Sequence, residues 1–289
     1  DRVTVYVGKA EMGQNIRTSI TQVVAEELLV PLDTIHMVMG DTDLTPYDAG
    51  TFGSRTTPYT TPLVRNAAAA AREWLLDLVV EKWKVDRSTL TIQEGKISHA
   101  PSSQSIRFGE LTQGRELMKT IQEGIPTRPA DQWKVAGNSI PKVDGMSFVT
   151  GKHRYVSDID LPDMQYGKIL RPPAFEAERV SLDSRDAEAV SGVTVVQDGN
   201  FVGVTAPDSF SVAQVLKKIK VEWKPTSQPS ENELVDWLRK NASQGGGRNS
   251  AFVKGSVEEG MANADRKLEQ TYTVAYIAHA PLEPRAAVA

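Results

Sequence analysis

Arg2-Val3-Thr4-Val5-Tyr6-Val7-Gly8-Lys9-Ala10-Glu11-Met12-Gly13-Gln14-Asn15-Ile16 opens the chain with a change of period. Val3, Val5 and Val7 alternate with Arg2, Thr4 and Tyr6, which predicts a half-buried strand. Gly8 to Asn15 reads as a loop. From Ile16 to Leu29 the spacing becomes helical: Ile16, Ile20, Val23, Val24, Glu27 and Leu28 fall on one side, and the apolar members form a stripe. Pro31 ends that helix, and Ile35–Met39 reads as a second strand. Thr42 to Thr57 is a second loop, with Gly50 and Gly53. Leu63–Trp83 predicts a long helix built on the Ala67–Ala71 run, with Trp74, Leu75, Leu78 and Val79 facing a core.

Further along, Leu90–Ile97 predicts a hairpin around Glu94-Gly95. Phe108-Gly109-Glu110-Leu111 opens a short helix through Leu117. Gln122–Ala130, rich in Pro, Gly and Thr, reads as a linker. A second module follows, with strands over Phe148–Tyr155, Gln165–Leu170, Val193–Gln197 and Val202–Val204, a helix over Ser209–Lys220 and a strand at Val221–Trp223. This mixture predicts an α+β fold. Beyond it, Glu231–Lys240 and Val257–Ala264 read as helices, Gln244–Asn249 as a flexible stretch and Leu268–Ala278 as a long strand. The expected division is 1–130, 131–228 and 229–289.

A length of 289 residues suits about two domains. The net charge of -4, without long Lys/Arg runs, argues against a nucleic-acid surface as the main function. Cysteine is absent, which excludes disulfides, thiolate metal ligands, iron–sulfur ligation and a Cys nucleophile within these residues. No apolar stretch is long enough to span a bilayer, and no signal peptide is evident. The chain starts at Asp1 on a strand pattern and stops on an apolar run, so both ends are expected to be cuts in a longer polypeptide.

Three segments can carry chemistry. In Gly8–Asn15, Gln14 and free backbone N–H groups at the helix start can grip an anion or a flat polar ring. A plain strand–helix turn explains the same residues. In Asp48–Pro58, glycines permit close approach, Ser54, Thr56 and Thr57 offer hydroxyls, and Arg55 offers a fork for phosphate. The alternative is a helix-capping loop in which Arg55 makes a salt bridge. The third is Tyr276-Ile277-Ala278-His279-Ala280-Pro281-Leu282-Glu283-Pro284, where His279 and Glu283 interrupt an apolar run. A carboxylate among apolar residues resists ionising unless it is paired, so it is either a functional group or a solvated strand end. His36, His99, His153 and His279 have no metal-pair spacing, and neither a P-loop, a dinucleotide fingerprint nor a Gly-x-Ser-x-Gly elbow is present.

Together these segments resemble the molybdopterin-binding large subunit of the xanthine dehydrogenase/aldehyde oxidase superfamily, in the branch of isoquinoline 1-oxidoreductase beta subunits and nicotinate dehydrogenases. Val5–Asn15 resembles its cofactor loop and Gly50–Thr56 a second loop. Val149–Tyr155, Asp158-Ile159, Met164, Gly167 and Arg171-Pro172-Pro173 resemble the start of its α/β hammerhead domain. Ala278–Pro284 resembles the start of the next molybdenum-binding domain. Asn15 departs from the pattern, since many relatives carry Gly there.

The resemblance implies a partial molybdopterin-binding domain followed by a hammerhead-like domain, and a molybdopterin-type cofactor contacted by Gly13, Gln14, Asn15, Gly53, Ser54, Arg55 and Thr56. It places Glu283 at the substrate pocket and the main catalytic glutamate beyond Ala289. The implied reaction oxidises an aldehyde or hydroxylates an N-heterocycle with water as oxygen source. Electrons then pass to 2Fe-2S clusters on a partner iron–sulfur subunit. A non-catalytic docking module of the same fold is the alternative. The compartment stays open, periplasmic or cytoplasmic.

Overall fold

The computed structural model describes residues 1–116, 118–121, 124–242, 254–280, 282 and 285–289. It divides into two compact units, Asp1–Arg154 and Tyr155–Ala289. The fold is mixed α+β, as the periodicities predict.

In the first unit, β1 (Val3–Val7) pairs in parallel with β2 (Ile35–Met39), Val3 opposite Ile35 and Val7 opposite Met39. Parallel neighbours need a crossover, and α1 (Ile16–Leu28) supplies it. Its apolar stripe is buried: Ile16, Ile20, Val24 and Leu28 join Val7, Met37, Ala68 and Val79 in one core. α2 (Thr61–Trp83) packs along α1 and brings Val79 to full burial. A three-stranded antiparallel sheet follows: β3 (Leu90–Gln93), β4 (Lys96–His99) and β5 (Gln104–Arg107). Its first turn has Glu94 at φ 50° and Gly95 at φ 71°, the left-handed pair that suits a two-residue hairpin. The Gly95 amide donates to Leu29 O at 3.0 Å and ties this sheet to the end of α1. The short helices α3 (Phe108–Thr112) and α4 (Gly145–Val149) complete the unit.

Two adjacent carboxylates of α1 anchor the segment whose composition reads as a linker. Glu27, fully buried, accepts from Arg65 Nε at 2.7 Å, Arg72 Nη1 at 2.6 Å and the Arg128 amide at 3.1 Å. Glu26 accepts from the amides of Lys134, Val135 and Ala136 at 2.8, 2.7 and 3.2 Å and from Arg128 Nε at 3.0 Å. Arg72 Nη2 adds a bond to Pro126 O at 2.7 Å. Residues 126–136 are therefore held against α1 and α2 by charge-assisted bonds.

In the second unit, β6 (Tyr166–Ile169), β9 (Phe201–Ala206) and β8 (Thr194–Asp198) form one antiparallel sheet. β7 (Glu178–Asp183) and β10 (Lys220–Lys224) form another, with a bulge at Glu222/Trp223. α5 (Arg185–Glu188) and α6 (Ser209–Leu216) enclose a core of Ala187, Val202, Val204, Ala206, Val212, Val215 and Ile219. The Asp208 carboxylate caps α6 through the Ser211 amide at 2.7 Å. α7 (Leu234–Lys240) and α8 (Val257–Asn263) follow.

Two expected strands are absent. Across Phe148–Tyr155 the Thr150 amide bonds to Met146 O, the Lys152 and His153 amides both bond to Ser147 O, and Gly151 turns at φ 68°. These local bonds satisfy the backbone without a neighbouring strand, and Phe148 stacks on His153 at 4.0 Å. Leu268–Ala278 alternates like a strand but no strand among the described residues pairs with it, and Tyr272, Val274 and Tyr276 are exposed. Alternation alone does not make a strand when no partner satisfies its amides. The stretch 244–249 lies outside the described residues.

Candidate functional site

The first two loops predicted from sequence leave the same end of the β1–β2 pair and are fastened to each other. Gly8, next after β1, faces Pro46 and Asp48: a Cβ there would stand 2.2 Å from Pro46 O and 2.7 Å from Asp48 Cβ. Only glycine lets the two chains pass so closely. Lys9 then reaches across, donating from Nζ to Asp48 Oδ1 at 2.7 Å and to Gly50 O at 2.6 Å. Lys9 is only 8 % exposed, so this contact is shielded from water. Asp48 also accepts from the Gly50 amide at 2.8 Å. Burial works to raise the Asp48 pKa, but the bond from Lys9, the Gly50 amide and the Lys9 charge outweigh it and hold it below the usual carboxylate range.

Within the first loop, Glu11 does what the sequence reading assigned to a ligand. Its carboxylate accepts from the backbone amides of Gly13 at 2.7 Å, Asn15 at 3.1 Å and Arg17 at 2.9 Å. Lys142 Nζ stands 3.8 Å from it. Burial works to raise the Glu11 pKa; the amides of Arg17, Asn15 and Gly13, with the Lys142 charge, bring it below the ordinary value. Of the amides at the start of α1, those of Asn15 and Arg17 are thus already held by an internal anion, as is that of Gly13 in the turn before it. Gln14 also folds back, Oε1 accepting from the Met12 amide at 2.6 Å and Nε2 donating to Ala10 O at 2.9 Å.

Asn15 sits at φ 67°, ψ 25°, and makes no side-chain cap. Asn is among the few non-glycine residues that adopt this left-handed conformation readily. Gly13, at φ 97°, has nothing within 4 Å of a Cβ position. Met12 is 79 % exposed. The outer face of the loop is therefore open.

The second loop bends through three left-handed residues, Gly50 (φ 107°), Gly53 (φ 58°) and Ser54 (φ 57°). Thr51 and Thr56 join their hydroxyls at 2.7 Å, and the chain enters α2 through a π-helical turn, Thr56–Thr60. Neither end residue of this turn caps through its side chain, and among the described residues Arg55 has no carboxylate partner. Arg55 lies over the Tyr59 ring, 5.3 Å from its centroid, a cation–π contact. The capping-and-salt-bridge reading of this loop does not hold. Thr61 Oγ1, next in the chain, is buried without a partner.

The remaining expected residues fall elsewhere or outside the description. His279 is exposed, and Glu283 lies outside the described residues. Among the described residues no group of three or more His, Cys, Asp or Glu is placed to hold a metal ion, and no helix is long and apolar enough to cross a membrane. A cleft of about 650 Å³ lies beside α2, lined by Ala67, Ala71, Trp74, Met118 and Ile121; neither loop contributes to it. Sequence reasoning missed Lys9, Glu11 and Asp48. Each is a charged residue beside a glycine-rich turn, and only Glu27, placed inside the apolar stripe of α1, carried a visible signal of burial.

Residues 1–161, more than half of the chain, match the family described as the molybdopterin cofactor-binding domain. The chain belongs to this family. Within it, the resemblance to the xanthine dehydrogenase group of molybdenum-binding subunits is upheld. The chain is 31 % identical to a nicotinate dehydrogenase subunit of Pseudomonas putida over 99 % of its own length and 25 % of that protein. It is 25 % identical to the isoquinoline 1-oxidoreductase beta subunit of Brevundimonas diminuta, covering 99 % of this chain and 43 % of that one. Identity to a membrane-bound aldehyde dehydrogenase of Gluconacetobacter polyoxogenes is 26 %, over 99 % and 39 %. The chain thus spans between a quarter and under half the length of these relatives. Among solved structures, quinoline 2-oxidoreductase from Pseudomonas putida 86 aligns with a TM-score of 0.33 and 27 % identity, covering 38 % of this chain and 14 % of that one.

Proposed function

We propose that this chain is part of the large subunit of a molybdenum hydroxylase. Its reaction oxidises an aldehyde or hydroxylates an N-heterocycle, with water as the source of oxygen. The observation that carries this is the Lys9 clamp: within residues matching the family, it fastens together the two loops expected to meet the cofactor. The donor set fits such a group. Gly13 leaves its outer face open, and a Cβ at Gly53 would meet only Arg55 Nε, at 3.9 Å. Ser54 offers a hydroxyl, and Arg55 a guanidinium without a carboxylate partner among the described residues. Thr61 Oγ1 has unmet hydrogen-bonding capacity.

The chain's own residues bind and orient. Gly13, Gln14 and Asn15 would meet the cofactor from the first loop, and Gly53, Ser54, Arg55 and Thr56 from the second. Because Glu11 already holds the Asn15 and Arg17 amides and brings a negative charge to the first loop, anionic groups of the cofactor would go to Arg55 and Ser54. When bound, the molybdenum cofactor supplies the two-electron oxidation of the substrate carbon. Glu283 lines the substrate pocket and positions substrate by a hydrogen bond. The hammerhead-like domain falls within 131–228, 229–289 leads into the next cofactor-binding domain, and 2Fe-2S clusters on a partner subunit would accept the electrons.

The test is the molybdenum-to-protein ratio, by elemental mass spectrometry, of this chain and of the longer polypeptide produced with its iron–sulfur partner. Near-stoichiometric metal in the longer protein and none in this chain is expected. No metal in either, in a host that makes the cofactor, refutes the enzyme reading and leaves a docking module. In the longer protein Glu283→Gln lowers turnover about 100-fold or less while molybdenum stays bound; loss of molybdenum contradicts the pocket role.

A further inference from the structure

We infer that Lys9 is the positioning residue that sets the spacing of the two loops. The inference rests on the proposed function for its purpose but not for its geometry. Lys9 is a buried cation with two partners, Asp48 Oδ1 and Gly50 O, both on the second loop. Its own backbone belongs to the first loop, next to Gly8, where the chains already touch. Two close contacts a residue apart thus define one junction. Gly8 sets how near the loops come, and Lys9 keeps them there.

Among the described residues no other hydrogen bond or ion pair joins one loop to the other; Glu11 reaches instead to α1 and to Lys142. Glu11 ties residues 13, 15 and 17, Gln14 ties residues 10 and 12, and Thr51 ties Thr56. Those bonds shape each loop separately and do not fix one against the other. Asp48 bonds both Lys9 and the Gly50 amide, so the clamp also holds the bend that leads to Gly53 and Arg55. Loss of the ammonium therefore loosens both loops together and leaves the helices intact. A cofactor that must touch both loops would then meet a site that is not preformed and bind less well.

The chain contains no cysteine, which allows a direct test. Lys9→Cys creates a single thiol, which is alkylated in denaturant and the chain refolded, with the parent chain taken through the same cycle. Alkylation with 2-bromoethylamine restores a side chain of nearly lysine length and charge; iodoacetamide gives a neutral one. Amide hydrogen exchange is followed over residues 8–15 and 48–57 and over α1 and α2. The neutral adduct is expected to exchange about tenfold faster in both loops and unchanged in the helices, with the aminoethyl adduct returning to parent rates. Equal exchange in the two adducts, or faster exchange spread equally over α1 and α2, overturns the assignment. Asp48→Asn, which needs no refolding, is expected to loosen both loops; loosening only its own loop also overturns it. If the longer polypeptide carries no molybdenum, the proposed function falls while these exchange results still judge the clamp. If it does, Lys9→Met is expected to lower its molybdenum ratio severalfold at equal yield of folded protein.

Discussion

Removing the Glu27 carboxylate tests whether buried charge holds the first unit together. Glu27 lies on α1 with no exposed surface and receives Arg65, Arg72 and the Arg128 amide. Deleting one partner of a buried ion pair costs about 3–5 kcal/mol, because the other charge is left in a poor solvent. Here the lower end applies. In Glu27→Ala, Arg72 keeps Glu73 Oε1 at 2.9 Å and Pro126 O at 2.7 Å, and Arg65 keeps the carbonyl of Arg128 and the Trp133 ring. The expected loss is about 3 kcal/mol, or roughly 6–12 °C in the melting temperature of a unit this size. Urea denaturation of the chain, monitored by tryptophan fluorescence, measures it. Limited proteolysis should cut first within 126–136, the segment that Glu26 and Glu27 hold down. A loss below about 1 kcal/mol, with unchanged cleavage, would refute the view that these carboxylates anchor the segment.

Other outcomes follow from the same contacts. Glu11 and Glu26 both have lowered pKa values: in each, burial opposes the shift and backbone amides, with a neighbouring cation, outweigh it. A lowered folded-state pKa adds stability above the unfolded value, near 4.5 here, and loses it as pH falls through the folded value. The urea midpoint should therefore fall as pH drops below about 4.5, and less steeply in a Glu11→Gln/Glu26→Gln chain; parallel curves would refute it. Gly8→Ala places a methyl against Pro46 O and should destabilise the unit by about 1–3 kcal/mol, measurable as a lowered urea midpoint. Asn15→Ala should cost about 1 kcal/mol because φ is 67°, whereas Asn15→Gly should be near neutral; equal effects would argue against the left-handed turn.

Long periodic stretches were legible in the sequence. The alternation of Val3, Val5 and Val7 and the helical spacing of Ile16, Ile20 and Val24 each correspond to the observed element, because one face of each meets the core. β5 and β7 were not legible. Gln104–Arg107 contains one apolar residue and is a strand because β4 lies beside it. In Glu178–Asp183, Val180 and Leu182 are flanked by polar residues, and pairing with β10 decides the conformation. Leu268–Ala278 fails in the opposite way, having the pattern without the partner. Strand formation depends on non-local pairing more than helix formation does, and these errors follow that asymmetry.

The site divides along the same line. Glycines mark both loops in the sequence because a left-handed turn restricts residue type at one position. The residues that join the two loops are Lys9 and Asp48, Glu11 shapes the first of them, and nothing local marks any of the three. Lys9 and Asp48 lie 39 residues apart, and each alone reads as a surface charge. Glu11 is a sharper case. The sequence offered helix amides as donors for an anion, and the loop itself supplies the anion, Glu11 reaching as far as the Arg17 amide six residues on. A carboxylate placed just before a glycine turn can satisfy the amides that follow it, and no ligand is then needed to account for them. The guanidinium of Arg55 has no such internal partner among the described residues, and on the proposed function this contrast would direct anionic groups to the second loop and leave the first to shape the contact.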